Sequence, residues 1–256
     1  MKTKGVVAGL VAVCGLVLLA SQALADWNPG DPYKMHYPQL PDPNGLDVDF
    51  EAPHFLADDW RCTETGPVSD IHFWVSHRGG DIPVINGLQV EIFSNIPASP
   101  TGGFSMPGQR LWSAGGPLPF TDFDFATAPG GPGNQGWYDP YEQVYIPNDH
   151  DSYFQINLRN IKNPFTQKAG EIYWLGISID TSNADGWKTS LNHFEDDAVY
   201  RSPTGGWAEL RYPSADPRAG QSIDLAFVIT PEPATFLLLA VGGLAVMRKW
   251  RRTAAQ

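Results

Sequence analysis

The chain has 256 residues, a formal charge of −11, 26 Gly, 23 Pro and two Cys. Residues 26 to 230 carry 27 acids against 11 Lys or Arg, a net charge of −16. So acidic a surface repels polyanions, which argues against nucleic acid and strongly anionic lipid as partners. No metal-finger spacing of cysteines and histidines is present.

At the start, Lys2 and Lys4 precede an apolar block from Val6 to Ala20 and the triplet Ala23-Leu24-Ala25. That order reads as a signal peptide over residues 1–25, cut by signal peptidase at the small residues Ala23 and Ala25. Cys14 invites a lipoprotein reading, but Val13 stands where a small residue is preferred. Loss of the leader leaves Cys62 alone. No intrachain disulfide is then expected despite an oxidising destination, and Cys62 reads as a small buried hydrophobe.

Residues 26–49, with five prolines between Pro29 and Pro43, are expected to form an extended N-terminal arm. From residue 50 to 230 no 3.6-residue apolar period is sustained. Alternation of period two recurs instead at Leu88-Val90-Ile92, Phe154-Ile156-Leu158, Tyr173-Leu175-Ile177-Ile179 and Ile223-Leu225-Phe227-Ile229. Each set predicts a strand with one face in a core and one polar face. Further strands are expected at 71–76, around Phe123-Asp124-Phe125 and around Ala198-Val199-Tyr200. The Gly/Pro-rich stretches Ala98–Pro119 and Thr127–Trp137 read as long loops carrying functional surface. The predicted fold is all-β, a single antiparallel, jelly-roll-like β-sandwich.

Within that frame, Trp74 falls on the polar side of its strand with His72 and Ser76, and Trp174 on the side of Gly176 and Ser178. Exposed there, the two rings would form a platform that stacks on sugars; covered by aromatic loops, they would be ordinary packing. Acids gather at Asp47-Asp49-Glu51, at Asp149-His150-Asp151, at His193-Phe194-Glu195-Asp196-Asp197 and in the segment Asp180 to Gly186. Calcium needs six to eight oxygen ligands, and these clusters offer a rationale for a structural ion. Asx turns and solvated edges explain them equally well. None of the six histidines shows zinc-ligand spacing, so no metal is assigned and no cofactor is expected. No nucleophile elbow, zincin motif or phosphate loop is present, and sequence cannot place two carboxylates at glycosidase separation.

The carboxyl end is Pro231-Glu232-Pro233-Ala234-Thr235, an apolar run over 234–247, then Arg248-Lys249-Trp250-Arg251-Arg252. The prolines break the chain from what precedes them. Fourteen apolar residues are short of the roughly 20 that span a bilayer. Snorkelling cations lengthen such a span and hold its end on the cytoplasmic side. The whole tail, residues 231–256, resembles the PEP-CTERM sorting signal of bacterial surface proteins. The resemblance implies handling by an exosortase-type membrane enzyme, with Pro231, Glu232 and Pro233 as the sorting motif. It also implies export to the cell envelope or extracellular matrix, through a transient or permanent C-terminal transmembrane helix over about 234–247.

Several body phrases carry a second resemblance: Leu56-Ala57-Asp58-Asp59-Trp60, Tyr145-Ile146-Pro147-Asn148-Asp149-His150, Gly186-Trp187-Lys188-Thr189-Ser190 and Asp196-Asp197-Ala198-Val199. They are similar to an uncharacterised extracellular β-domain of bacterial surface proteins, which brings no activity with it. The expectation is a non-catalytic surface or matrix protein, glycan-binding or adhesive in an exopolysaccharide layer. The alternative is a secreted polysaccharide hydrolase or lyase.

Overall fold

A computed structural model describes residues 26–80, 84–101, 103–182 and 184–231. The cleavage residues Ala23 and Ala25, the motif residues Glu232 and Pro233, and the expected transmembrane helix lie outside them. Among the described residues no helix is long and apolar enough to cross a membrane.

The unit Asn28–Pro231 contains every strand found among the described residues. In chain order these are β1 (Leu46–Asp49), β2 (Leu56–Arg61), β3 (Gly66–Pro67), β4 (Asp70–His77) and β5 (Ile85–Ile96). They continue with β6 (Met106–Pro117), β7 (Asp124–Asp139), β8 (Val144–Arg159), β9 (Thr166–Gln167) and β10 (Ile172–Thr181). The last five are β11 (Asp185–Ser190), β12 (Val199–Arg201), β13 (Trp207–Glu209), β14 (Asp224–Leu225) and β15 (Phe227–Thr230). A 3₁₀ turn covers Arg78–Gly80.

Two sheets form the sandwich. The first has the order β14-β11-β1-β7-β8-β4-β15, the second β13-β12-β2-β10-β5-β6. Their pairings are antiparallel except β1 with β7, which run parallel with Leu46, Asp47 and Val48 opposite Gly136, Trp137 and Tyr138. β11 pairs with β1 along one edge and with β4 along the other, so β1, β7, β8, β4 and β11 form a closed cycle of pairings. Closure removes the exposed ladder edges that a five-stranded sheet would otherwise present.

The core between the sheets is aromatic. Phe50, Phe73, Trp187 and Phe227 pack edge-on or tilted at centroid distances of 5.8 to 6.5 Å. Trp60 of the second sheet meets Phe227 of the first at 6.3 Å. Such geometries suit the ring quadrupole and add to the burial of large apolar area. Cys62 is free and buried beside this core.

Three expectations from the sequence need correction. First, the polar sides of the alternating strands are not wet. All eight residues of β4 and eight of the ten in β10 are buried. A second cluster of Phe55, Ala57, Phe93, Trp174 and Val199, with Phe104 and Trp207 against it, covers the other face of β10. Gly176 sits in that cover, where a Cβ would stand 2.4 Å from a Phe55 ring carbon.

Second, the stretches read as loops are largely strands: β6 occupies 106–117 and β7 occupies 124–139. β6 is the edge of its sheet, where Pro107 and Pro117 need not donate to a neighbour. β7 absorbs Pro129 and Pro132 by register shifts against β8 at Pro129/Gly131 and Pro132/Gln135.

Third, the segment read as an arm ends earlier than residue 49. Residues 46–49 are β1, inside the closed cycle. The remainder is docked, with bridges from Met35 to Cys62, Gln39 to Phe227 and Pro41 to Ser190.

Candidate functional site

Closure of the five strands has a chemical consequence. Asp47 on β1 and Ser76 on β4, strands that do not pair with each other, share a 2.7 Å hydrogen bond across the cycle. Both side chains therefore point inward. Gln135 on β7, His150 on β8 and Lys188 on β11 are buried with them, so all five strands contribute to this polar network. Asp47 accepts from His150 Nε2 at 2.9 Å and from Lys188 Nζ at 3.2 Å. His150 Nδ1 lies 3.0 Å from Asp149 Oδ2, which also accepts Gly79 N–H at 2.6 Å. Burial opposes charge on His150, yet its bonds to Asp47 and Asp149 raise its pKa overall. His77 and Asp185 form a further buried side-chain contact. With no side-chain exposure at Asp47, His150 or Lys188, this network positions strands and cannot meet a substrate.

The acid clusters seen in the sequence are thus dispersed. Asp47 enters the cycle, and Asp149 caps a backbone N–H. Glu195 pairs with Arg61, Asp197 with Arg211, and Asp196 accepts the N–H of Ser105. Asp185 is held by His77. No one of these four segments gathers its own acids around a common point.

The proposed aromatic platform fails on burial. Trp74 is 5% exposed and Trp174 is 0% exposed. Trp174 Nε1 donates to Asn95 Oδ1 at 2.9 Å beneath the aromatic cover of Phe104 and Trp207. Stacking on a sugar needs a free ring face, and neither residue offers one.

What the surface does offer is a groove of about 410 Å³ where three chain segments meet. Its walls come from the turn entering β1 (Asn44, Gly45), from the β7–β8 ribbon (Asn134, Tyr145, Asn148) and from Asp216-Pro217-Arg218. Asn44, Asn134 and Asn148 are exposed and linked: Asn44 Oδ1 accepts Asn134 N–H at 3.0 Å, and Asn134 Nδ2 donates to Asn148 Oδ1 at 2.5 Å. Asn148 has φ of 53°, a left-handed conformation that Asn tolerates. The approach of ribbon and turn is close. A Cβ at Gly133 would lie 1.7 Å from the Pro43 carbonyl oxygen.

On the other wall Tyr145 donates its hydroxyl to Asp216 Oδ2 at 3.2 Å. Burial and the Asp216 charge push the Tyr145 phenol above its ordinary range, so it remains a neutral donor. Arg218 Nε reaches Asp216 Oδ1 at 3.3 Å and one terminal nitrogen reaches Asp42 at 3.0 Å. Its guanidinium rests 4.0 Å over the Tyr212 ring. The groove therefore presents amides, a phenol and an Asp216–Arg218 pair, a set suited to hydroxyl-rich neutral ligands. Sequence reasoning did not single out these residues. A usable signal was the recurrence of Asn beside Pro or Gly, at Pro43-Asn44-Gly45, Gly133-Asn134 and Pro147-Asn148.

Elsewhere, Asp49, His54 and Asp139 each offer one ligand atom within 4.8 Å of the others. Spacings of 5 and 85 residues hid them from any motif.

Comparison with known families places this body. The family described as a domain of unknown function, DUF7901, matches residues 35–230. The chain belongs to the DUF7901 family. The match begins in the docked arm and ends at the last residue of β15, so it takes in both sheets and the groove of the DUF7901 domain. The PEP-CTERM protein-sorting motif matches residues 230–252, confirming the resemblance of the tail. The chain is thus an exported, cell-envelope-associated protein sorted by an exosortase-type enzyme. No curated protein and no solved structure is similar enough to match.

Proposed function

We propose that the DUF7901 domain is a non-catalytic binding module for a neutral polysaccharide, held at the envelope or in the surrounding matrix by its sorting tail. The observation that carries this reading is the polar groove of Asn44, Asn134, Asn148, Tyr145 and Asp216–Arg218. Amide and phenol groups donate and accept in turn, as sugar hydroxyls require. The half-exposed Tyr145 ring offers an apolar face to a pyranose. The domain's net charge disfavours acidic polymers and leaves neutral ones. An open groove orders few groups and excludes little water, so binding is expected to be moderate.

The hydrolase or lyase reading has less support. Cleavage of a glycosidic bond calls for two carboxylates flanking one bond. Among the described residues lining the groove, Asp216 is the one carboxylate, and it is engaged by Arg218 and Tyr145.

Affinity electrophoresis through gels containing neutral glucans, mannans or galactans tests the proposal. The wild-type protein is expected to be retarded on at least one polymer, and Tyr145→Ala and Asn148→Ala to lose about tenfold or more in affinity. Equal retardation of both variants, or no retardation of wild type on any neutral polymer, overturns it. Release of reducing ends from the same polymers would favour the enzyme instead.

A further inference from the structure

We propose that Asp49, His54 and Asp139 form a site for a borderline divalent cation, with Zn²⁺ as the reference ion. The site shares no residue with the groove and stands independently of the glycan reading.

Three local structures aim the ligands. Asp49 closes β1, His54 lies in the turn between β1 and β2, and Asp139 closes β7. Asp49 Oδ1 accepts the N–H of Glu51 at 2.9 Å, which leaves Oδ2 toward His54. Asp139 Oδ1 accepts the N–H groups of Tyr141 and Glu142 at 2.8 and 3.1 Å, leaving its second oxygen available. The His54 ring stacks on Tyr141 at a centroid distance of 3.8 Å and an interplanar angle of 10°. Tyr141 is itself fixed, its hydroxyl accepting from Phe55 N at 2.9 Å and donating to Phe55 O at 3.2 Å. Outer-shell bonds of this kind orient first-shell ligands in metal sites.

The decisive feature is His54 Nδ1. The atom is shielded from solvent although a quarter of the side chain is exposed, and its near neighbour is Asp49 Oδ2, 3.2 Å away. The two atoms are close without the alignment of a hydrogen bond, as donors are when they converge on a third point. Two donors about 2.0–2.2 Å from a tetrahedral ion stand roughly 3.3–3.5 Å apart, near the separation seen here.

Charge points the same way. Two carboxylates stand together, and among the described residues neither forms an ion pair with Lys or Arg; the Asp49 side chain is 10% exposed. A dication relieves that repulsion. The donor set selects the ion: one imidazole nitrogen and two carboxylate oxygens suit Zn²⁺ or a neighbouring transition ion, whereas Ca²⁺ seeks six to eight oxygens. Three protein ligands leave a position for water.

Equilibrium dialysis of the purified full-length chain against Zn²⁺ tests the assignment. Wild type is expected to retain one equivalent that Asp139→Asn and His54→Gln bind at least about tenfold more weakly. Asp139→Asn keeps the oxygen that accepts from Tyr141 and Glu142, and metal-free melting curves verify that each variant folds. Co²⁺ added to wild type is expected to show visible absorption of a low-coordinate ion with a nitrogen ligand. A Co²⁺ spectrum of the free aqua ion overturns the proposal however the variants behave. So does Zn²⁺ retention unchanged in both variants, or stabilisation by Ca²⁺ without any by Zn²⁺.

Discussion

Asp47 and Lys188 face each other across the β1–β11 pairing, 3.2 Å apart, with neither side chain touching solvent. Burial lowers the Lys188 pKa and the adjacent Asp47 carboxylate opposes that shift. The pair survives because Ser76 donates to the other Asp47 oxygen, Oδ1, while His150 shares Oδ2 with Lys188. Removing one partner strands the other inside the cycle. Asp47→Asn is expected to lose about 3–5 kcal/mol of stability in urea unfolding. The double variant Asp47→Asn/Lys188→Met is expected to recover part of that loss, since the unpaired ammonium is gone.

A second buried set governs pH dependence. Asp59 is pushed up to about 10, first by burial and then by the charges of Asp58 and Asp224. Burial raises Asp58 and Asp224 as well. A raised folded-state pKa keeps the proton on Asp59 while the unfolded carboxyl releases it near 3.8. The stabilisation is complete below that value and is lost as pH climbs toward 10, at up to about 1.4 kcal/mol per pH unit. Asp59→Asn mimics the protonated form and is expected to flatten the slope, gaining on wild type at about pH 8.5 relative to about pH 7. His36 works in the opposite sense, lowered to about 3 by burial and Arg61, so its effect falls below about pH 6.5. Urea unfolding of wild type and Asp59→Asn across pH 7 to 8.5 reads the Asp59 contribution as the difference between their slopes, clear of the His36 range.

Gly176 offers a packing test. A methyl group there would meet Phe55 ring carbons at 2.4 and 2.8 Å and a Phe93 ring carbon at 2.9 Å. Gly176→Ala is expected to cost about 1–3 kcal/mol by overpacking the outer aromatic cluster. Trp174 belongs to that cluster, so a change in tryptophan fluorescence should accompany the loss.

The sorting motif predicts a change of fate rather than of fold. Glu232→Ala is expected to accumulate unprocessed precursor at the membrane, and deletion of residues 231–256 to release the DUF7901 domain. Immunoblots of membrane, envelope and medium fractions from a host with exosortase-type processing read both outcomes. Unchanged processing in both variants would contradict the assignment of Pro231-Glu232-Pro233.

Much of the strand pattern is legible along the chain. Leu88, Val90 and Ile92, and Tyr173, Leu175, Ile177 and Ile179, are all buried as their alternation implies. Alternation reports that one face is apolar, but not what covers the other. Trp74 and Trp174 show the difference. Each lies opposite its apolar neighbours, as read, yet the closed cycle and the Phe104–Trp207 cover exclude solvent from both. Gly/Pro content misled in β6 and β7 because an edge position and register shifts accommodate those residues, and both features belong to the assembled sheet.

By itself the order of residues determined the class of fold and the sorting address. Those signals are local, residing in periodicity and a short tail. Only the folded chain decided which polar groups meet. Asp47 needs Ser76, His150 and Lys188, drawn from 29 to 141 residues away, and the groove needs segments near 44, 134, 148 and 216 together. Such contacts depend on strand closure and register, which distribute their information over pairings far apart in the chain.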